Sequence, residues 1–346
     1  MKPKYKVPTM DEVRALDWNG HTVVSTFSGA GGSCLGYRMA GYRVLWASEF
    51  VPAAADVYRA NKAAGSHLDT RDIREVQPQD ILSETGLERG QLDIFDGSPP
   101  CASFSLSGNR EKNWGEVKKY SDTKQRTDDL FAEYVRLLDG LQPKVFVAEN
   151  VTALAQGRAK GVFLEVMSLL RSAGYRVKCR ELHSRWLGVP QSRQRLIFLG
   201  VREDLGSDPY YPDPVPQTYT LWDAIGDLED QPAEPESSLE KYSTGREWHR
   251  LKKGEQSTRY FNLRRCHEDQ PCPTILASHG SPGSASPAHP RYPRKFSIAE
   301  LKRVCAFPDD FILSGPYIKQ YERLGRAVPP VMMKHIASAV LTNLER

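Results

Sequence analysis

The sequence predicts an α/β fold, a doubly wound parallel sheet accompanied by a smaller second domain. Three observations carry this. Short β-branched, apolar runs alternate with helical segments over the first two hundred residues. The chemically unusual side chains all fall just past the carboxyl ends of those runs, where open α/β sheets bind their ligands. After Arg202 the character changes: prolines and acids cluster, as in Asp208-Pro209-Tyr210-Tyr211-Pro212-Asp213-Pro214, and periodicity weakens.

The elements follow in order. His21–Phe27 reads as a buried strand that runs into Ser28-Gly29-Ala30-Gly31-Gly32. A helix is expected from Ser33, as N-cap, to Ala40, stopped by Gly41. Arg43–Ser48 is a second strand, followed by Glu49, and Pro52 opens a helix reaching about Asn61. A third short strand should end near Asp72. Leu92–Phe95 is a fourth, ending in Asp96-Gly97-Ser98-Pro99-Pro100-Cys101, and Lys144–Ala148 a fifth, ending in Glu149-Asn150. Leu196–Leu199 is a further strand, entered through Gln191-Ser192-Arg193-Gln194-Arg195; continued alternation would put Gln191, Arg193 and Arg195 on one face. Helical pattern returns at Ile298–Cys305 and Pro330–Leu344. The predicted division is 1–201 for the first domain, 202–293 for the second, and 294–346 for a segment returning to the first.

Bulk properties exclude little. The 346 residues are 40% apolar and 26% charged, and the net charge of +4 permits a polyanionic partner without demanding one. No window approaches a membrane span and no apolar leader follows Met1, so a cytoplasmic protein without a membrane partner is expected. The cysteines (Cys34, Cys101, Cys179, Cys266, Cys272 and Cys305) show no CxxC pair, and no metal site is expected.

Gly29-x-Gly31 after a strand lets the backbone turn tightly and approach a ligand. No Gly-Lys-Ser/Thr follows, and Cys34 stands where a dinucleotide fingerprint has its third glycine. Glu49, at the end of the next strand, is placed to accept from both hydroxyls of a ribose, and Phe50 to lie against an adenine. A tight turn without a ligand is the plain alternative. Two prolines hold Cys101 stiffly at a strand end, which makes its thiol a candidate nucleophile. Glu149 could protonate or hydrogen-bond a heterocycle; the arginines could hold a carbonyl oxygen, a phosphate or Glu149 itself, or form a salt-bridged solvent face.

The order Phe27-Ser28-Gly29-Ala30-Gly31-Gly32, Glu49, Asp72, Ser98-Pro99-Pro100-Cys101, Glu149-Asn150-Val151, Gln191-x-Arg193-x-Arg195, Pro271-x-Pro273-Thr274-Ile275 and Gly325-x-Ala327-Val328-Pro329-Pro330 resembles the DNA cytosine-5 methyltransferases. The similarity runs from Thr22 to Ala339. It implies a Rossmann-like S-adenosylmethionine-dependent methyltransferase fold, with 202–293 as target-recognition domain, and double-stranded DNA as partner of a monomer. The setting implied is nucleoid-associated, in a prokaryotic or phage-infected cell, within or outside a restriction–modification pair. The resemblance also implies a mechanism. Cys101 adds to C6 of a flipped cytosine, Glu149 binds N3 and the amino edge, Arg195 with Arg193 holds O2, and C5 takes the alkyl group. Phe27, Ser28, Gly29, Gly31, Gly32, Glu49, Phe50, Asp72, Pro99, Arg326, Ala327 and Val328 would surround the donor. Residues 102–128 resemble a loop that closes over DNA, with Lys112, Lys118, Lys119 and Lys124 reaching phosphates or solvent.

The sequence departs from that pattern at Ala102, at Gly97-Ser98, and at Arg326, where the family has Asn. A guanidinium about 4 Å from a sulfonium costs roughly 4 kcal/mol at an effective dielectric of about 20. Its counter-charge would be a DNA phosphate, an acid such as Glu322, or a carboxylate on the donor. The last would be carboxy-S-adenosylmethionine, giving 5-carboxymethylcytosine. Other readings of the chain are a tRNA cytosine-5 methyltransferase, a catalytically silent DNA-binding relative and, more remotely, a nicotinamide dehydrogenase.

Overall fold

The computed structural model describes residues 2–100, 118–120, 123–125 and 129–345. The chain divides into two compact units: one formed by residues 17–182, 194–212 and 334–346, the other by 1–16, 183–193 and 213–333.

The first unit is built on a seven-stranded sheet. Its strands are β1 (Thr22–Thr26), β2 (Arg43–Ser48), β3 (His67–Asp69), β4 (Ile94–Gly97), β5 (Val145–Asn150), β6 (Tyr175–His183) and β7 (Gln194–Arg202), in the spatial order β3-β2-β1-β4-β5-β7-β6. The pairs β1/β2, β2/β3, β1/β4 and β4/β5 are parallel, whereas β7 runs antiparallel to β5. The sheet is therefore mixed at one side rather than wholly parallel. Strand order reverses between β1 and β4, and the glycine turn after β1 and the Ser98–Pro100 turn after β4 flank that reversal, where such sheets open a ligand crevice.

Helices α1 (Gly32–Met39), α2 (Pro52–Asn61), α3 (Pro78–Thr85), α4 (Leu130–Leu141) and α5 (Lys160–Ser172) belong to this unit. Helix α4 buries Leu130, Phe131, Tyr134, Leu137, Leu138 and Leu141, the spacing of a single helical face. Tyr134 stacks on Phe95 of β4 at 4.7 Å between centroids and meets Phe146 of β5 edge-on at 6.4 Å. Each such aromatic contributes about 2–3 kcal/mol of burial, so the two active-edge strands rest on a stiff floor.

Several boundaries differ from expectation. Helix α1 is capped by Gly31 in the left-handed conformation (φ 90°) rather than by Ser33, because the preceding turn continues to Gly31. The third strand ends at Asp69, so Asp72 lies in the loop beyond it. Residues 202–261 do hold a helix, α6 (Ser243–Arg250). In the second unit, α7 (Ile298–Val304) is followed by α8 (Tyr317–Arg326), which the sequence reading did not anticipate; α9 (Pro330–Leu344) begins in this unit and ends in the other.

Residues 294–333 thus group with the second unit, and only 334–346 with the sheet. The cause is bonding to earlier segments of that unit. Leu239 N–H donates to the Pro293 carbonyl (2.9 Å). Arg294 pairs with buried Glu300 at 2.6 Å, and the fully buried Lys295 donates to the carbonyls of His279, Gly280 and Ser281 at 3.2, 3.0 and 2.7 Å. Among the described residues, no helix is long and apolar enough to cross a membrane.

Candidate active site

The turn after β1 is conformationally special. Phe27 has φ 54°, a region bulky side chains rarely adopt, and Gly29 and Gly31 follow at φ 57° and 90°. A Cβ built on Gly29 would meet open space, so this face of the turn is accessible. Ser28 is tied down: its N–H donates to the Ser48 carbonyl (2.9 Å) and its hydroxyl to the Ser25 carbonyl (3.1 Å). Gly32 is the first residue of α1.

Glu49 is buried and doubly held. One carboxylate oxygen accepts from Gly29 N–H at 2.8 Å, the other from Val51 N–H at 2.7 Å. The residue predicted to meet a ribose therefore also fixes the glycine turn. Phe50 beside it is 37% exposed, as an adenine platform needs. Asp72 binds Arg74, both by ion pair (2.9 Å) and through the Arg74 N–H (3.1 Å); Arg74 in turn pairs with Asp129.

At the ends of β4 and β5 two further features meet. The Asn150 side chain donates to the Pro99 carbonyl (3.0 Å) and accepts from Val151 N–H (2.9 Å), pinning the proline turn to the end of β5. The sequence reading named Asn150 without a role; a buried amide directly after a catalytic-type acid is the signal that could have given one. Cys101, one residue beyond this turn, lies outside the described residues, as does Lys112; Lys118–Tyr120 and Thr123–Gln125 form a short antiparallel pair. Glu149 and Arg195 form an ion pair at 2.6 Å with side chains only 12% and 13% exposed. Arg195 reaches it from β7, where Leu196 and Ile197 oppose Asn150 and Glu149.

Arg193 behaves differently. The expected continuous strand is broken there: Gln191–Ser192 pairs with Cys272–Pro273, and β7 starts only at Gln194. Arg193 is 2% exposed and its guanidinium donates to the carbonyls of Ile275 (3.2 Å), Gly325 (2.9 Å) and Arg326 (3.3 Å). It joins the Pro271–Ile275 segment to the late Gly325–Val328 segment within the second unit and does not share a face with Arg195. Gln191 is likewise buried, its amide donating towards the Cys305 sulfur at 3.3 Å. Arg326, at the end of α8, pairs through Nε with Glu322 at 2.9 Å; Ala327 leaves the helix in extended conformation and Val328 is buried.

The second unit also contains a cavity of about 540 Å³ whose charged lining is Arg185 and Arg264, with Gln256, Asn262 and Gln270 as polar groups. Phe261 at its edge is 83% exposed, on a turn held by Gln256, whose amide donates to the Phe261 carbonyl (2.5 Å) and accepts from Arg264 (2.9 Å). Cations, amides and an aromatic without an acid among them suit a nucleic-acid surface.

Comparisons with known proteins identify the family of the chain. The family model for the C-5 cytosine-specific DNA methylase matches residues 21–342. The chain is 30% identical over 339 residues to the Type II methyltransferase M1.HphI of Haemophilus parahaemolyticus, covering 92% of this chain and 86% of that protein. It is 30% identical over 350 residues to the Type II methyltransferase M.MthTI of Methanothermobacter thermautotrophicus, covering 93% and 98%. Among solved structures, a DNA modification methyltransferase encoded within an E. coli prophage is similar with a TM-score of 0.73 at 21% identity, over 94% of this chain and 100% of that one. Spodoptera frugiperda DNMT2 matches with 0.68 at 17% identity, over 94% and 100%. These structural likenesses are likenesses of fold.

Proposed function

The chain belongs to the C-5 cytosine-specific DNA methylase family, and from that premise we propose that it methylates C5 of a cytosine flipped out of duplex DNA, with S-adenosylmethionine as donor. The observation that carries the site assignment is the half-buried Glu149–Arg195 pair. It stands at the strand ends beside the proline turn that Asn150 clamps.

Cytosine C5 is a poor nucleophile. Addition of the Cys101 thiolate to C6 moves electron density to C5 and towards N3, where a proton from Glu149 stabilises it. Arg195 leaves its ion pair to hold the O2 oxygen, and Glu149, relieved of that cation, takes the proton it then donates. C5 bonds to the methyl carbon as the sulfonium leaves as a neutral thioether. Loss of the C5 proton, return of the N3 proton to Glu149 and β-elimination of the Cys101 thiolate restore the ring. The donor is held by Glu49 on its ribose hydroxyls, by the open backbone at Gly29, and by Phe50 on its base; Gly31, packed against the Tyr58 ring, and Phe27, Ser28, Gly32, Asp72 and Pro99 shape the surrounding turns. We assign Arg193 to holding the Gly325–Val328 segment rather than to the ring. The recognition region is placed within 202–293, with Arg264, Gln256 and Phe261 facing DNA, and the enzyme acts as a monomer.

A second reading concerns the donor. Arg326 replaces the family's Asn, and a carboxylated donor would offer that guanidinium a second carboxylate, yielding 5-carboxymethylcytosine. Glu322 already supplies a counter-charge at 2.9 Å, which favours plain methylation. Mass spectrometry of nucleosides from duplex DNA treated with enzyme and each donor separately tests both readings. 5-Methylcytosine is expected. Carboxymethylcytosine that disappears in Arg326→Asn would establish the second reading. Modification of tRNA but not of duplex DNA would overturn the DNA assignment. Absence of a Cys101-dependent adduct on 5-fluorocytosine duplexes would instead mark a silent binder.

A further inference from the structure

We propose that Asp96 is a positioning residue for this transfer, a buried acid whose charge governs how readily Glu149 takes up the proton it gives to the ring. The inference rests on the reading of Glu149 above.

Asp96 lies in β4, five residues before Cys101, and is 2% exposed. Its oxygens accept from the Ser25 hydroxyl at 2.8 Å and the Tyr37 hydroxyl at 3.1 Å. The Ser28 hydroxyl also lies 3.1 Å from Ser25 Oγ, so the acid is wired to the donor-side turn. Among the described residues no Lys, Arg or His pairs with Asp96. A buried carboxyl group costs stability wherever it is ionised without a cation. An acid retained there calls for a function.

The sheet register supplies the partner. β4 and β5 are parallel with Asp96 opposite Val147, so Glu149, two residues further, is on the same face. Strand spacing and rise put the two Cα atoms roughly 8 Å apart. The groups facing Asp96 are Ser25 on β1, Tyr37 and Cys34 on α1 and Glu149 on β5, whereas Tyr134 of α4 packs on Phe95 and Phe146 across the sheet. Tyr134 directs its hydroxyl to the carbonyls of Phe95 and Val147. Burial pushes Asp96 up to about 7, with the hydrogen bonds from Ser25 and Tyr37 opposing and the charge of Glu149 adding.

Coupling of two acids is mutual: the effect of Glu149 on Asp96 is the effect of Asp96 on Glu149. Arg195 sets a positive charge 2.6 Å from Glu149, and an ionised Asp96 sets a negative one on the same face of the sheet. Below about pH 7 Asp96 is neutral and bulk protons suffice; above it, the charge of Asp96 keeps Glu149 able to take a proton. The device extends the reaction to alkaline pH.

The test is the pH profile of single-turnover methylation for the wild type, Asp96→Asn and, as reference, Glu149→Gln. Asparagine has the same shape, and the hydroxyls of Ser25 and Tyr37 can rotate to serve it. Asp96→Asn is expected to match the wild type at pH 6 and to lose about tenfold at pH 8.5, its alkaline limb moving down by about one pH unit. A loss by the same factor at every pH, or an unmoved limb, overturns the proposal. Should Asp96→Asn not fold, Tyr37→Phe removes a hydrogen bond to the ionised acid and should move the limb in the same direction; an unmoved limb there is equally fatal. A fully active Glu149→Gln would overturn the reading of Glu149 itself, whereas an inactive Glu149→Gln with an unmoved Asp96→Asn limb removes only the role of Asp96.

Discussion

Removal of the Asn150 clamp should uncouple the nucleophile from the acid. In the wild type the amide donates to the Pro99 carbonyl at 3.0 Å and accepts from Val151 N–H at 2.9 Å, at a residue 6% exposed. Each of the two hydrogen bonds is worth about 1 kcal/mol net, and stranding the Pro99 carbonyl adds about 1–3 kcal/mol, so Asn150→Ala should destabilise by roughly 3–5 kcal/mol. Catalysis should suffer separately. A displacement of about 1 Å in a reacting group costs on the order of a hundredfold in rate, and Pro99 stands two residues from Cys101. Asn150→Asp separates the two bonds: it keeps the acceptor for Val151 but turns an oxygen towards the Pro99 carbonyl. Single-turnover methylation at saturating donor, with trapping on 5-fluorocytosine duplexes, reads addition of Cys101 to C6 directly. Both variants should trap about a hundredfold more slowly. If Asn150→Asp trapped at the wild-type rate while losing stability, the clamp would have no part in placing the nucleophile.

Further outcomes follow from the same geometry. Glu49→Gln turns a donor towards Gly29 or Val51 N–H; the donor KM should rise about ten- to a hundredfold, with a smaller change in kcat, measured by initial rates against donor concentration. Arg193→Met strands three buried carbonyls and should cost about 3–5 kcal/mol in urea unfolding, while Arg193→Lys should recover part of it. The buried His289 is held neutral because its Nδ1 accepts from the N–H groups of Arg291 and Tyr292; burial pushes it down to about 3, with Arg294 and Arg291 adding. The unfolded chain therefore binds the extra proton between about pH 6.5 and 3, and stability falls as pH drops through that window. The loss is about 2 kcal/mol by pH 5 relative to pH 8. Urea midpoints across this range should fall less steeply in His289→Gln; parallel curves would exclude the mechanism.

Much of this molecule is dictated locally. Strands at Thr22–Thr26 and Arg43–Ser48 and the helix from Pro52 are determined by short runs rich in β-branched and apolar residues and by a proline that fits a first helical turn. The order of the glycine turn, Glu49, the Ser-Pro-Pro-Cys turn and Glu149 was legible because each sits at a strand end, and parallel strands bring such ends together. Tertiary structure decided the rest. Alternation along the chain grouped Arg193 with Arg195, yet pairing of Gln191–Ser192 with Cys272–Pro273 breaks the strand between them; one arginine is delivered to Glu149 and the other to the carbonyls of Ile275, Gly325 and Arg326. Residues 294–333 join the second unit through Lys295, whose carbonyl partners at His279, Gly280 and Ser281 lie up to sixteen residues away. Asp96 looked like one more residue of a strand end until the register set it on the face of Glu149. In each case the deciding partner is distant in sequence, and a chain read by its own periodicity carries no record of which distant backbone groups its side chains will satisfy.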